Sequence, residues 1–336
     1  MDTGFKQAIG RLKEADIGQT NKDNIERFLI SCRHEGLKKS TITHHINYAK
    51  RFIEEMRKLG IEKDLHEIDQ YDFERFVIYL EDEKGLKQNT IRNYKKFVKK
   101  YFRWYTEGDQ PKWIKNLKLE DIDATVQPHE LLTQEELDKL LDTCTHPRDK
   151  ALIAVLADGG MRIGALASCQ LKHVEFNDYG GMLYISKTSQ SRKTTTPKGI
   201  PITWSAGYLN QWYSIHPLRG YPEAPLWTTL DKNKEAMSYK SLRVRIKDIG
   251  DEAGIKKRVN PHTFRHYAIT NWILDGLNEQ EIKHRAGWSK GSTQMFKVYA
   301  NFTDQQINDS IYTKYGLKAE NKRHVTLEKC PRCSNI

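Results

Sequence analysis

Apolar residues recur at every third or fourth position through four stretches of the first third of the chain, which is the spacing of amphipathic helices. The apolar positions of these stretches are Ile25, Phe28 and Leu29, then Ile42, Ile46, Ala49, Phe52, Ile53 and Met56, then Phe73, Phe76, Val77 and Leu80, then Ile91, Tyr94, Phe97, Val98, Tyr101 and Phe102. Gly36, Gly60 and Gly85 fall in the gaps, where glycine commonly ends a helix. The pattern predicts a small helical bundle over residues 21–107, preceded by a tail over residues 1–20.

Polar residues stand at the start of these stretches, where their side chains can accept hydrogen bonds from the free backbone N–H groups of a helix. The candidate N-caps are Asn21 or Asp23 for the first helix, Ser40 or Thr41 for the second, and Asn89 or Thr90 for the fourth. Both members of each pair are of a residue type that caps helices, so each pair stays open.

The pattern changes after residue 107. Residues 108–129 have no clean periodicity and contain Gly108, Pro111 and Pro128, so they are predicted to form an extended linker. Thr133, with Glu136 three residues later, then predicts a capping box. Helices are predicted near residues 133–143, 147–158, 162–168, 205–214, 239–253, 261–275, 278–286 and 303–314, and a β-hairpin at 182–187 and 197–203. These elements make a mainly helical domain with one small sheet over residues 130–316, before a basic tail over residues 317–336.

The balance of charge indicates a polyanionic partner. The chain has 336 residues and a formal net charge of +11, and basic side chains that neutralise phosphates release condensed counterions. A merely basic soluble protein is the alternative. No apolar stretch is long enough to span a bilayer, the start lacks the order of a signal peptide, and five scattered cysteines do not make a disulfide framework. We therefore expect a cytoplasmic protein.

Candidate phosphate contacts cluster on two predicted helices of the first domain. At the start of the second helix they are Lys38, Lys39, Ser40 and Thr41, and on the fourth helix they are Arg92, Lys95, Lys96 and Lys99. Hydroxyl and ammonium groups both suit phosphate oxygens. The fourth helix carries no acidic residue among its basic ones, and like charges at helical spacing repel one another, which favours an anionic partner. A solvated basic face is the alternative.

Residues suited to phosphate chemistry occur in four separated segments of the second domain. Arg162 follows two glycines at a helix start, and His262 and Arg265 stand three positions apart on one face of a predicted helix. Trp288 in AGWS and Tyr299 in VYANF complete the set. Each residue alone has an ordinary explanation, such as a surface arginine, a buried histidine or a packed tyrosine ring. Their joint occurrence in this order is what indicates a functional site.

That ordered set resembles the tyrosine recombinase family, which includes phage-type integrases, and the resemblance covers essentially the whole chain. GGMRIGAL is similar to the family's first arginine box, HTFRH to its second box, AGWS to its third and VYANF to its nucleophile segment. The resemblance implies catalytic roles for Arg162, His262, Arg265, Trp288 and Tyr299, and it adds Lys187 in SKT as the catalytic lysine of a β-hairpin. It also implies a helical, SAM-like core-binding domain followed by an α+β catalytic domain.

The resemblance implies a reaction as well as a fold. Tyr299 attacks a phosphodiester of double-stranded DNA, a 3′-phosphotyrosine stores the bond energy, and strands exchange through a Holliday junction held by four protomers, without a metal or nucleotide cofactor. Arg192 and Lys193, in the turn-like segment after Lys187, join the candidate DNA contacts. The segment after the nucleophile, residues 303–315, is expected to pack on a neighbouring subunit, as in relatives, or on its own domain.

The sequence departs from the family pattern at Ala165, where an acidic residue is usual. That carboxylate helps to hold the family's active site together, and Glu175 is a candidate substitute. Cys330 and Cys333 form a CPRC pair, which is half of a zinc site, and a basic tail without metal is the favoured interpretation. Two other functions stay open: DNA relaxation like that of a type IB topoisomerase, and DNA binding by a relative that has lost catalysis.

Overall fold

The computed structural model describes residues 3–120, 128–185, 198–293, 308–309, 311–313 and 315–317. The chain forms two compact units, Met1–Asp123 and Ala124–Ile336, and the boundary between them falls inside the predicted linker. Each unit has its own hydrophobic core. The helices in the described ranges are all too short or too polar to cross a bilayer.

The described part of the first unit is built from helices. They are α1 (Thr3–Glu14), α2 (Gln19–His34), α3 (Lys39–Lys58), α4 (Gln70–Ile78), α5 (Gln88–Tyr105) and α6 (Lys112–Asn116). The four helices predicted from apolar spacing are confirmed as α2 to α5, and α4 continues into a π-helical turn over Tyr79–Glu83. Every apolar position predicted for them is buried except Val77, which is partly buried.

The helix starts of this unit differ from the prediction. α2, α3 and α5 begin after Gly18, Lys38 and Lys87, and none of these residues makes a side-chain capping bond. The predicted N-caps are therefore wrong, because all of the candidates lie inside the helices. Asn21 is instead buried, and its side-chain amide donates to the carboxylate of Asp64 at 2.7 Å, which links α2 to the loop before α4.

Two further helices lie where a tail and a linker are predicted. α1 buries Ala8 and Leu12 in the core of the unit, and α6 buries Ile114 in the same core. Lys99 on α5 donates from Nζ to the carbonyl of Leu117 at 2.8 Å, just beyond the end of α6. α1 has four apolar residues at helical spacing over residues 5–12, so its pattern indicated a helix that the prediction of a tail missed, whereas the five residues of α6 are too few to establish a period.

The second unit combines helices with a small sheet. Its described elements are α7 (Gln134–Thr143), α8 (Pro147–Gly159), α9 (Ile163–Leu166), β1 (Val174–Asn177), β2 (Gly180–Ile185), β3 (Lys198–Ile202), α10 (Ala206–Ser214), α11 (Tyr239–Glu252), α12 (Pro261–Leu274) and α13 (Glu279–Ala286). The predicted hairpin is confirmed as β2 and β3, which pair antiparallel with Leu183 opposite Ile200. β1 is an unpredicted strand on the other edge of β2.

Most helices of this unit lie where the sequence predicts them. The capping box at the start of α7 is confirmed, since the side chains of Thr133 and Glu136 each accept the other's backbone N–H. α9 is shorter than the helix predicted over residues 162–168. Of the helix predicted over residues 303–314, residues 308–309 and 311–313 are helical, and the remaining positions lie outside the described residues.

α8 is the central helix of this unit. Its residues from Ala151 to Gly159 are all buried, and it packs against α10, α12 and β3. A helix that is apolar on all sides belongs in the middle of a core. It therefore fixes the position of the segment that follows it, which begins with Gly160 and Arg162.

Candidate active site

A left-handed turn ends α8 and starts the site. Gly160 has φ of 54° and ψ of 22°, and its N–H donates to the carbonyl of Leu156 at 3.1 Å. A Cβ at this position would lie 2.8 Å from Cη2 of Trp272 and 3.0 Å from Cβ of Ala268. Both the positive φ and the close contact require glycine here, so the second glycine of GGMR shapes the turn that presents Arg162.

Arg162 is the N-cap residue of α9, in an extended backbone conformation. Its side chain is half-buried, and this burial lowers the pKa of the guanidinium, which still stays cationic at neutral pH. No hydrogen bond or ion pair joins this guanidinium to any residue that the structure describes. A cation that is desolvated without a protein anion is suited to receive an anionic ligand.

The start of α12 supplies the next two residues of the site. Asn260 caps this helix, and its side-chain oxygen accepts the N–H groups of His262 at 2.8 Å and Thr263 at 3.3 Å. Pro261 occupies the first turn, where its fixed φ suits a helix start. The cap therefore places His262 and Arg265 in the first turns of one helix, as predicted.

Arg265 is buried and joins the ends of two helices. Its Nη1 donates to the carbonyl of Gly160 at 2.7 Å, and its Nη2 donates to the carbonyl of Ala286 at 2.6 Å. These carbonyls lie at the C-terminal ends of α8 and α13, where backbone oxygens lack helical partners. The guanidinium also lies 5.5 Å from the ring centre of Trp288. The structure thus connects Arg265 with two of the other predicted segments.

Trp288 follows the end of α13. Gly287 adopts a left-handed conformation with φ of 62°, and the N–H of Trp288 donates to the carbonyl of Lys283 at 2.9 Å. This pattern is a Schellman ending, which glycine favours. The partly buried indole packs against the cluster that contains Trp272 and Ile282. The turn explains how the AGWS segment presents its tryptophan.

A small recess lies among these elements. It is lined by Met161, Arg162, Ala165, Ile185, Ile200, Arg265, Ala286 and Gly287. Two guanidinium groups therefore share an otherwise apolar wall. Ala165 is buried there, and the predicted substitute carboxylate, Glu175, is exposed on β1 and accepts the hydroxyl of Tyr184 at 2.7 Å. No contact between Glu175 and Arg162 occurs in the described residues.

Desolvation and nearby positive charges favour the neutral form of two histidines at the start of α12. The pKa of His262 is lowered by partial burial and by the positive charges of Arg265, Arg162, Arg243 and Arg258. His266, one turn later, has its pKa lowered to about 4 by burial and by His262 and Arg265. Arg243 and Arg258 are exposed and lie outside the recognised motifs, so no sequence pattern identified them.

A buried ion pair adjoins the site and was not predicted. Asp158 is 3% exposed and its Oδ1 lies 3.1 Å from Nη2 of Arg285. The guanidinium of Arg285 lies 4.4 Å from the ring centre of Trp272. The pair joins residues 127 positions apart. Neither residue belongs to the motifs recognised in the sequence, and no local pattern links them.

The predicted DNA contacts of the first unit have different surroundings. Lys39, Ser40 and Thr41 are exposed at the start of α3, and on α5 Lys96 is exposed and Lys95 half-exposed. Lys38 is partly exposed as the N-cap residue of α3, and Arg92 is partly buried. Lys99 differs, because its ammonium is bound to the carbonyls of Lys115 and Leu117. These bonds to the end of α6 account for the position of Lys99, so its position does not require a contact with DNA.

Six predicted residues lie outside the described residues. They are Lys187, Arg192, Lys193, Tyr299, Cys330 and Cys333. Within the described ranges, no group of three or more histidine, cysteine or acidic side chains is arranged to hold a metal ion. The described part of the site is therefore Arg162, His262, Arg265 and Trp288.

Comparison with known proteins matches both parts of the chain to domains of phage integrases. Residues 130–306 match the family model described as the phage integrase family, and residues 25–112 match that of the phage integrase N-terminal SAM-like domain. The tyrosine recombinase XerA of Pyrococcus furiosus is 26% identical over 290 residues, which cover 85% of this chain and 92% of the relative.

Two solved structures share the fold. The XerH site-specific recombinase bound to a palindromic difH substrate has a TM-score of 0.61 at 15% identity, covering 93% of this chain and 95% of that chain. A lambda integrase tetramer bound to a Holliday junction has a TM-score of 0.64 at 14% identity, covering 84% of this chain and 78% of that chain. The integrase family model spans more than half of the 336 residues, and the chain therefore belongs to the phage integrase family.

Proposed function

We propose that the protein is a site-specific DNA recombinase that cleaves and rejoins double-stranded DNA through a covalent bond to Tyr299. The observation that carries this proposal is the recess shared by Arg162 and Arg265, in which one guanidinium has no protein anion within the described residues. Two guanidinium groups suit the non-bridging oxygens of a phosphodiester, where negative charge concentrates in the transition state. Membership of the integrase family supports this assignment.

The proposed reaction exchanges one phosphodiester for another. The phenolic oxygen of Tyr299 forms a bond to phosphorus while the bond from phosphorus to the 5′ oxygen breaks. Lys187 protonates the leaving 5′ oxygen, and a 3′-phosphotyrosine remains. A 5′-hydroxyl from a second duplex then attacks this phosphotyrosine and gives its proton to Lys187, while Tyr299 leaves and regains its proton from His262. The bond energy is conserved, so the exchange requires no nucleotide hydrolysis.

His262 supports this reaction in its neutral form. Desolvation and nearby arginines lower its pKa, which favours the neutral imidazole, and a neutral imidazole can accept the phenolic proton of Tyr299. The positive charges of Arg162 and Arg265 favour the resulting phenolate. Trp288 covers the guanidinium of Arg265 and limits its contact with water.

The first unit offers a surface for the DNA backbone. The starts of α3 and α5 have no side-chain cap and no acidic residue in the first turn, which leaves their N–H groups available to phosphates. Lys95 and Lys96 on α5 have no ion-pair partner in the described residues. We place the protein on DNA in the cytoplasm, in keeping with the free thiols of Cys32, Cys144 and Cys169.

Assembly is proposed from the relatives. The lambda integrase structure is a tetramer on a Holliday junction, and we propose that four copies of this chain hold two DNA sites in the same way. A type IB topoisomerase-like reaction would use the same nucleophile without joining two duplexes. Formation of a junction between two labelled duplexes separates these two activities.

Covalent trapping tests the proposed nucleophile. The protein is incubated with fragmented DNA from its source, denatured with detergent, and assayed for DNA that stays attached. Wild type and Tyr312→Phe, a control at a tyrosine that is 48% exposed, are expected to trap DNA, and Tyr299→Phe is not. Equal trapping by Tyr299→Phe would overturn the assignment of the nucleophile. Binding without any trapped DNA in the wild type would favour a relative that has lost catalysis.

A further inference from the structure

The ion pair of Asp158 and Arg285 is built into the ends of two helices. Arg285 sits at the C-terminal end of α13, and its Nη2 contacts Oδ1 of Asp158 at 3.1 Å and the carbonyls of Asp158 and Pro201 at 3.2 and 3.3 Å. Asp158 lies in the last turn of α8. The side chains of Asp158 and Arg285 are 2% and 12% exposed, so solvent screens the pair little.

The carboxylate of Asp158 is also fixed from the other side. Its Oδ2 accepts the N–H of Thr203 at 2.6 Å and the hydroxyl of Ser205 at 2.8 Å, and its Oδ1 accepts the hydroxyl of Thr203 at 2.9 Å. Trp272 on α12 donates its indole N–H to the backbone carbonyl of Asp158 at 3.1 Å. One buried aspartate therefore connects α8, α12, α13 and the turn before α10.

The same two helix ends hold Arg265. One branch of its guanidinium donates to Gly160, two residues after Asp158, and the other donates to Ala286, the residue after Arg285. The distance between these two carbonyls sets where both branches of Arg265 can bind. The ion pair spans the same two helix ends one or two residues earlier, so it fixes that distance.

We infer that Asp158 and Arg285 are positioning residues for Arg265 in the strand-transfer reaction. Neither lines the recess, so neither is assigned a contact with DNA or with the reacting atoms. Their effect passes through the orientation of the Arg265 guanidinium. Small displacements of a group that stabilises a transition state lower the rate strongly, even when the fold is intact. This inference rests on the role proposed for Arg265.

The test separates positioning from a merely structural role by changing the charge on the substrate. Single-turnover cleavage is measured with saturating protein on a target site identified by covalent trapping. The site carries either a normal scissile phosphodiester or a methylphosphonate. The methylphosphonate has a methyl group in place of one charged oxygen, so it makes less use of a well-placed guanidinium. DNA affinity is measured in parallel by titration.

The variants are conservative, and the chain offers a matched control. Arg285→Lys keeps the charge of the pair but loses the fork, and Asp158→Asn keeps the shape of the carboxylate. The control is Arg245→Lys, because Arg245 also binds a buried aspartate, Asp149, at 2.9 Å but does not line the recess. Thermal unfolding of each variant identifies any general loss of stability.

The expected result is a loss that depends on the substrate. Arg285→Lys and Asp158→Asn should cleave the phosphodiester about 10-fold to 100-fold more slowly, with unchanged DNA affinity, and cleave the methylphosphonate at nearly the wild-type rate. Arg245→Lys should change neither rate. Equal loss on both substrates, or no loss on either, would overturn the inference.

A direct variant of Arg265 separates failure of this inference from failure of the proposed function. Arg265→Lys should show the same dependence on substrate charge, but more strongly. If Arg265→Lys shows it and Arg285→Lys does not, only the positioning role is wrong. If Arg265→Lys cleaves both substrates like the wild type, the proposed catalytic role of Arg265 is itself wrong.

Discussion

Gly160 and Trp272 are packed so closely that a Cβ on Gly160 would lie 2.8 Å from Cη2 of the indole. The carbonyl of this glycine accepts a hydrogen bond from Nη1 of Arg265, so the contact fixes one of the two anchors of an arginine for which we propose a catalytic role. Core packing and the proposed chemistry therefore depend on the same residue, and substitutions around it should affect both.

Replacement of Gly160 by alanine should lower both stability and cleavage. The positive φ and the overlap with Trp272 together are expected to reduce the free energy of unfolding by about 2–4 kcal/mol. Gly254→Ala is the control, because Gly254 has φ of +68° but no neighbouring atom within 4 Å of the position that a Cβ would take. The control should lose only about 1–2 kcal/mol. Denaturant unfolding measures the stability of both variants, and equal losses of stability would show that the indole of Trp272 moves to accommodate the added methyl group.

Replacement of Arg162 and replacement of Arg265 should affect stability differently, although both residues are proposed to serve the reaction. Arg162→Met removes a half-buried cation that no described residue pairs with, so the free energy of unfolding should stay constant or rise by up to about 1 kcal/mol. Arg265→Met leaves the carbonyls of Gly160 and Ala286 without their donor and should cost about 2–4 kcal/mol. Thermal unfolding distinguishes them, and a loss for Arg162→Met as large as that for Arg265→Met would contradict this account.

The same two variants should lose DNA cleavage alike. Each removes a charge that faces the proposed phosphate, and loss of one such group typically costs about 100-fold to 1,000-fold in rate. Covalent trapping over time provides the measurement. Normal trapping by Arg162→Met would show that Arg162 does not stabilise the phosphate.

Local patterns allowed most of the catalytic unit to be predicted. The capping box of Thr133 and Glu136 involves residues three apart, and the apolar run of α8 identifies a buried helix without any knowledge of its neighbours. The start of α2 was mispredicted because a tertiary contact outweighed capping preference, whereas α3 and α5 each begin one residue before the first of their candidate caps. Asn21, a good N-cap by type, is used inside α2 to bind Asp64, 43 residues away.

Long-range polar contacts are the part of the site that sequence could not supply. The bonds from Arg265 to Gly160 and Ala286 cross 105 and 21 positions, and that of Arg285 to Asp158 crosses 127. A motif indicates which residues meet a substrate, but it contains no information on which backbone carbonyls orient them. Arg265 was therefore predicted as a catalytic residue, while its two anchors were not.

His266 should make the stability of the protein depend on pH. Its pKa is lowered to about 4 in the folded chain and is near 6.5 when unfolded, so between these values the unfolded state binds more protons. The free energy of unfolding should consequently fall as the pH drops from 6.5 to 4, by up to about 1.4 kcal/mol per pH unit from this group. His266→Gln should reduce that slope, and denaturant unfolding at several pH values checks it. The same slope in both proteins would refute the assignment.

Lys95 and Lys96 should contribute to DNA affinity through phosphates rather than bases. The double variant Lys95→Gln, Lys96→Gln is expected to weaken binding equally for all sequences and to reduce the salt dependence of log K by about 1.8, or about 0.9 for each phosphate that is no longer neutralised. Lys58→Gln is the control for the loss of one positive charge. Lys58 is paired with Glu55 and lies at the opposite end of α3 from the candidate DNA contact Lys39. Binding titrations across a range of salt concentrations give the slope. An unchanged slope in the double variant, or an equal change in the control, would show that the basic face of α5 is solvated and does not contact DNA.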